Sequence, residues 1–146
     1  MDPALVDAVY QVVKDWKKEN SFDLWPVDDL EAKRFNVELC FRHNLITLLT
    51  DSQGRLEGFL IFYRDWQFQG MRPKDIQPKG EYVVSDVLWI RPDLRGKGTL
   101  RRLFKKAFHE HREKVLGGEK MVMFRKWNGY SEVIYDFPKF FRKYGI

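Results

Sequence analysis

The chain has one cysteine, Cys40, and three histidines. A single thiol excludes an intrachain disulfide and a four-cysteine zinc site, and it fits a reducing compartment. His109 and His111 fall on different sides of one helical stretch, so no metal is expected there. Cys40 reads as a small core residue; a nucleophilic role would need His43, near it in sequence, to reach the thiol in the fold. No apolar run approaches the roughly 20 residues needed to cross a bilayer. Met1-Asp2-Pro3-Ala4 lacks the basic-then-apolar start of a secretory signal. The expectation is a cytoplasmic protein, or one in a particle assembled in the cytoplasm, with no membrane partner. No internal repeat, low-complexity tract or linker divides the chain, and residues 1–146 are read as a single domain.

What is present is apolar and basic. Hydrophobic residues make up 44% and aromatic residues 16% of the chain, enough to exclude wholesale disorder. The net charge of +5 is unevenly spread. Residues 91–126 hold twelve basic against four acidic side chains, whereas residues 1–60 hold seven against eleven. A field concentrated this way attracts a polyanion, either a nucleic acid or a phosphorylated cofactor. For nucleic acid there is no recognised reader motif; Phe124 and Trp127 beside Arg125 and Lys126 are the only aromatic neighbours of the patch.

Periodicity predicts the elements. Asp2 caps a helix whose first turn accepts Pro3, and Leu5, Val9, Val12, Val13 and Trp16 form its stripe. A second helix is predicted from Asp28 or Asp29 to Phe41, with Leu30, Phe35 and Leu39 as its apolar set. Its second half also alternates as a strand would. Leu45–Thr50 and Leu56–Tyr63 form a hairpin around Asp51-Ser52-Gln53-Gly54. Trp66–Gly80 is a connection folded onto the body. Glu81–Ile90 has the near-continuous apolar character of a central strand, interrupted by Ser85 and Asp86, a polar pair that demands partners if buried. A helix follows from Thr99 to about Arg112, its stripe being Leu100, Leu103, Phe104, Ala107 and Phe108. Lys120–Phe124 is a short strand, Trp127-Asn128-Gly129 a turn, and Val133–Tyr144 a last helix.

The informative segment joins the central strand to the basic helix: Ile90-Arg91-Pro92-Asp93-Leu94-Arg95-Gly96-Lys97-Gly98-Thr99-Leu100. Amides at a helix start carry partial positive charge. Two glycines let a ligand approach the backbone, and Arg95 and Lys97 add full charge. The segment is an anion cradle suited to a pyrophosphate. It is neither a Walker loop nor the three-glycine dinucleotide fingerprint.

These residues resemble the GNAT superfamily of N-acetyltransferases. Arg95-Gly96-Lys97-Gly98-Thr99-Leu100 is similar to the family's loop of Arg or Gln, two residues, Gly, one residue, then Gly or Ala. Ile90-Arg91-Pro92 resembles the close of its fourth strand, the hairpin with Gly54 and Gly58 its second and third strands, and Phe140–Ile146 the end of its last helix. The resemblance implies an α/β fold: a mixed, mostly antiparallel central sheet flanked by helices, with the final strands missing. It implies acetyl-CoA as cofactor, with pyrophosphate on Arg95, Gly96, Lys97, Gly98 and Thr99 and the pantetheine arm pairing near Leu88 and Ile90. The acetyl group would lie between that strand and Lys120–Phe124. Asp86 would be the base, its buried position raising its proton affinity; the alternative is that Asp86 only accepts hydrogen bonds from a neighbouring loop. The family's tyrosine acid aligns with Phe141, which donates no proton, and Tyr135 is the candidate substitute beside Tyr130 and Tyr144. Leu100 departs from the small residue of the motif and could press on the pyrophosphate. The chain stops where the family continues into one or two more strands, and a protein partner or second copy is expected to cover that side.

Two functions follow from the resemblance. One is acetyl transfer from acetyl-CoA to an amine. The other is a catalytically inactive structural or assembly protein of the same fold, for instance in a larger complex or a virion. Fold alone does not choose between them.

Overall fold

The computed structural model describes residues 2–20, 23–25, 29–64, 67–68, 82–111, 120–124 and 132–136. Two helices, α1 (Pro3–Glu19) and α2 (Leu30–Arg42), precede three strands, β1 (Ile46–Thr50), β2 (Leu56–Arg64) and β3 (Tyr82–Ile90). Then come α3 (Thr99–Glu110), β4 (Lys120–Phe124) and β5 (Glu132–Asp136). The strands form one sheet in chain order, antiparallel except for the β3–β4 pair, which is parallel. This is the mixed, helix-flanked sheet that the resemblance implied.

Helix α1 starts where expected: the Asp2 carboxylate accepts from the Ala4 amide at 2.9 Å, and Pro3 occupies the first turn. It buries Val6, Val9, Val13 and Trp16, so Val6 replaces Leu5 and Val12 at the centre of the stripe. Helix α2 is helical to Arg42, and the strand alternative for its second half is excluded. Its buried face is Lys33, Val37 and Cys40, while Leu30 and Phe35 lie exposed. A five-residue step turns a helix well off one face, whereas steps of four and three stay on it. Cys40 is a core residue, as read, and His43 is exposed.

The two sheet faces have separate cores. Phe59, Ile61 and Tyr63 of β2, with Val84 and Val87 of β3, pack under α1 and α2. Leu60 and Phe62 of β2, Val83 of β3 and Leu49 of β1 pack under α3, through Leu103, Phe104, Ala107 and Phe108. Full burial is worth about 1.5–3 kcal/mol for each large apolar side chain, so that stripe alone pins α3 to the sheet. Leu100 is half-buried against the same cluster. The β1–β2 turn uses Gly54 at φ +79° and the Asp51 carboxylate, which accepts from the Gln53 and Arg55 amides at 2.9 Å each.

One expected element is wrong. Residues 132–136 do not begin a terminal helix; they form β5, antiparallel to β4, with Val133 opposite Met123 and Tyr135 opposite Met121. Val133, Ile134 and Tyr135 are β-branched or aromatic, and pairing with β4 decides the local ambiguity. The sheet therefore has a strand beyond β4. The predicted turn at Trp127-Asn128-Gly129 and residues 137–146, with Phe141 and Tyr144, lie outside the described residues.

Candidate functional site

The strand β3 hands over to α3 through a short, rigid path. The Arg91 amide donates to the Glu57 carbonyl at 2.8 Å, then Pro92–Leu94 makes a single tight turn. The Arg91 guanidinium donates to Asp93 at 2.7 Å and lies 3.6 Å from Asp51 of the β1–β2 turn. The hydrogen bond to Asp93 holds the Arg91 proton more firmly than usual, and Arg91 in turn holds the Asp93 carboxyl below its ordinary range. Arg91 is thus committed to fixing the root of the loop. Gly96 and Gly98 follow at φ +76° and +81°, the left-handed region that favours glycine. Gly98 is the N-cap of α3, and no side chain caps the helix.

Backbone amides are left over as a result. Among the described residues, no main-chain carbonyl accepts from the amides of Gly96, Lys97, Gly98, Thr99, Leu100 or Arg101; the first such bond of α3 runs from Arg102 to Gly98 at 3.2 Å. The Thr99 hydroxyl turns back onto the Leu94 carbonyl at 3.2 Å and leaves this amide row uncovered. A Cβ added at Gly96 or Gly98 would meet nothing within 4 Å. Arg95 and Lys97 in the loop, with Arg101 and Lys105 in the first two turns of α3, are exposed basic residues of the same segment.

A second feature adjoins the cradle. The β3–β4 pairing runs only from Tyr82–Lys120 to Ser85–Met123. Past Ser85, β3 bonds to β2 on one side and to no described strand on the other. Bonded pairs alternate along an antiparallel ladder. Since Arg91 bonds to Glu57, the pairs Trp89–Phe59 and Val87–Ile61 also bond, and Leu88 and Ile90 turn their N–H and C=O groups to the open edge. The Arg95 Nε donor at 2.9 Å from the Ile90 carbonyl marks that edge, and Arg95 also lies 3.7 Å from Glu19 at the end of α1. Among the described residues, a strand edge with no strand partner leads directly to a row of amides with no main-chain acceptor.

Asp86 stands where the edge begins. The β2–β3 register shifts between Ile61 and Phe62, so that Asp86 is the extra residue of a bulge. A bulge re-aims a side chain; here Asp86 and Val87 both face α1 and α2. Asp86 is 6% exposed. Its Oδ2 accepts from the Tyr63 hydroxyl at 2.8 Å and from the Trp25 indole at 3.0 Å. Neither donor was legible in the sequence, because they lie 23 and 61 residues away. Trp25 itself has φ +46°, costly for a bulky side chain by about 1–3 kcal/mol and retained only where surrounding contacts enforce it.

The sequence profile of the acetyltransferase (GNAT) family matches residues 9–132. The chain belongs to the GNAT family. Solved structures support the fold at low identity. A predicted acetyltransferase from Clostridium acetobutylicum, determined with acetyl-CoA, is 13% identical with a TM-score of 0.59, over 100% of this chain and 86% of its own. A GNAT-family protein from Desulfovibrio desulfuricans is 15% identical with a TM-score of 0.51, over 85% and 68%. An acetyltransferase from Trypanosoma brucei is 14% identical with a TM-score of 0.50, over 100% and 88%. Comparison with curated protein sequences finds no match.

In this GNAT chain the expected cofactor residues are neighbours: Leu88 and Ile90 on the open edge, Arg95 through Thr99 in the cradle. Leu100, the departure from the family's loop, is half-buried against the core under α3. Tyr135 is not on a helix. It lies on β5 at the register of Met121, two pairs before the last β3–β4 pair. Among the described residues no group of three His, Cys, Asp or Glu could hold a metal ion, and no helix is long and apolar enough to cross a membrane.

Proposed function

We propose that this GNAT-family chain, acting as one domain, binds acetyl-CoA and transfers the acetyl group to an amine. The observation that carries the reading is the continuity of the unpaired Leu88–Ile90 edge with the uncommitted amides over Gly96–Arg101. A pyrophosphate needs several convergent N–H donors, an open approach and nearby positive charge, and the cradle fits on all three counts.

When bound, acetyl-CoA supplies an activated thioester. The chain's own groups do the rest. The amides of Gly96–Arg101 with Lys97 hold the anionic end, and the N–H and C=O groups of Leu88 with the Ile90 N–H align the arm along β3, while Arg95, donating to the Ile90 carbonyl, lines the junction. Asp86 accepts the proton of the incoming amine, directly or through a water. Tyr135 is the proposed proton donor to the leaving thiolate.

Calorimetric titration with acetyl-CoA tests the binding step, with Arg95→Glu and Gly98→Glu as controls. Saturable binding that both variants lose is the expected result. No binding at millimolar ligand refutes the cofactor and leaves the fold as a structural or assembly scaffold. Thiol release with a panel of amines then tests transfer, for which slow turnover with small amines is expected, reduced further in Asp86→Asn and Tyr135→Phe. Salt-sensitive binding of DNA in place of acetyl-CoA would assign the basic face to nucleic acid instead.

A further inference from the structure

We propose that Lys33 and Trp25 are positioning residues for the Asp86 carboxylate, a role whose catalytic consequence rests on Asp86 being the proton acceptor described above. Lys33, on α2, is 3% exposed. A buried ammonium is costly unless paired and hydrogen-bonded. Its Nζ donates to the Asp23 carboxylate at 2.6 Å and to the Leu24 carbonyl at 2.8 Å. The same Asp23 oxygen accepts from the Leu24 amide at 2.9 Å. One charge on α2 therefore grips two consecutive residues of the connection between α1 and α2. The next residue is Trp25, held left-handed with its indole N–H on Asp86 Oδ2.

The grip is directional. Tyr63 approaches the same oxygen from β2, and the Phe68 ring stands edge-on to both the Trp25 and Tyr63 rings, with centroids at 5.8 and 5.3 Å. Two rigid donors on one carboxylate oxygen set the plane of the group. The Trp25 donor is on the connection between α1 and α2, and the Lys33 bonds to Asp23 and Leu24 fix the two residues immediately before it. A methionine at position 33 would fill the same core volume and lose both hydrogen bonds. Packing explains an apolar residue there; the two polar contacts explain a lysine.

The test reads the indole directly. The full chain has five tryptophans, and the Trp25 Nε1–H cross-peak in a nitrogen–proton spectrum is assigned by its loss in Trp25→Phe. Asp86→Asn should shift that peak as the charged acceptor is removed. Lys33→Met and Asp23→Asn, which remove contacts of the two residues before Trp25, should shift it in the same direction and leave most other indole peaks in place. Trp25→Phe should also lower kcat by about ten- to a hundredfold with KM for acetyl-CoA unchanged. A Trp25 peak unmoved in Asp86→Asn, or unmoved in Asp23→Asn, overturns the proposal. If Lys33→Met fails to fold, Asp23→Asn decides, since it keeps a neutral acceptor for the lysine. Unchanged kcat in Asp86→Asn with the indole shifts intact overturns the proton-acceptor reading and upholds the anchoring.

Discussion

Replacing Gly98 separates what the backbone needs from what a ligand needs. At φ +81° an alanine is in the left-handed region, which costs about 1–2 kcal/mol for a residue with a Cβ. No clash adds to this, because an added Cβ meets nothing within 4 Å. For a chain near this size, 1 kcal/mol lowers the melting temperature by about 2–4 °C, so Gly98→Ala should melt roughly 2–8 °C lower. Asparagine tolerates the left-handed region better, so Gly98→Asn should recover part of that loss. Binding should behave differently. Either side chain stands in the open space above the amides, and both variants should bind acetyl-CoA at least tenfold more weakly, equivalent to about 1.4 kcal/mol. Thermal melts and calorimetric titrations on the three proteins give both numbers. Full affinity in Gly98→Asn would show that the anion does not sit on these amides. An alanine variant as stable as the parent would refute the strain.

Other perturbations probe the frame around the site. In Gly58→Ala the new Cβ would stand 2.8 Å from the Trp89 carbonyl and 3.0 Å from Ile90 Cδ1, so the paired β2 and β3 must shift apart there; denaturant unfolding should show a loss of about 1–3 kcal/mol. Leu103→Ala removes a fully buried anchor of α3 and should cost about 2–5 kcal/mol in the same assay. The Arg55 and Gln53 amides, with the Arg55 charge, hold the Asp51 carboxyl below its usual range. A depressed carboxyl stabilises the fold above its unfolded pKa, near 3.9, and loses that contribution as pH falls through the lower folded value. Asp51→Asn should therefore be less stable than the parent at neutral pH, and the gap in melting temperature should close on acidification below about pH 4. A gap that stays constant with pH would show that the carboxylate's charge is not the cause.

Much of the architecture was legible in the sequence because it is local. The Asp2 cap, the Gly54 turn, the apolar run of β3 and the α3 stripe each depend on residues within a few positions of one another. The loop before α3 was legible for the same reason: two glycines, a basic pair and a helix start occur within one short segment. Where local signals were mixed, the prediction failed or split. Residues 132–136 read as the start of a helix until β4 offered them a partner, and Leu30 and Phe35 of α2 read as core until Val37 and Cys40 took the inner face.

The order of residues along the chain by itself determined the glycine-rich basic loop that opens α3, since its glycines, charges and helix start lie within one short segment. Only the tertiary structure decided which edge of β3 lies open, through the parting of β4 after Ser85. It alone decided what surrounds Asp86, because Trp25, Tyr63 and the bulge that turns the carboxylate toward them meet only when three separate elements pack together. Hydrogen bonds of this kind are selected by burial, which forces a polar group to find whichever donor the fold brings near.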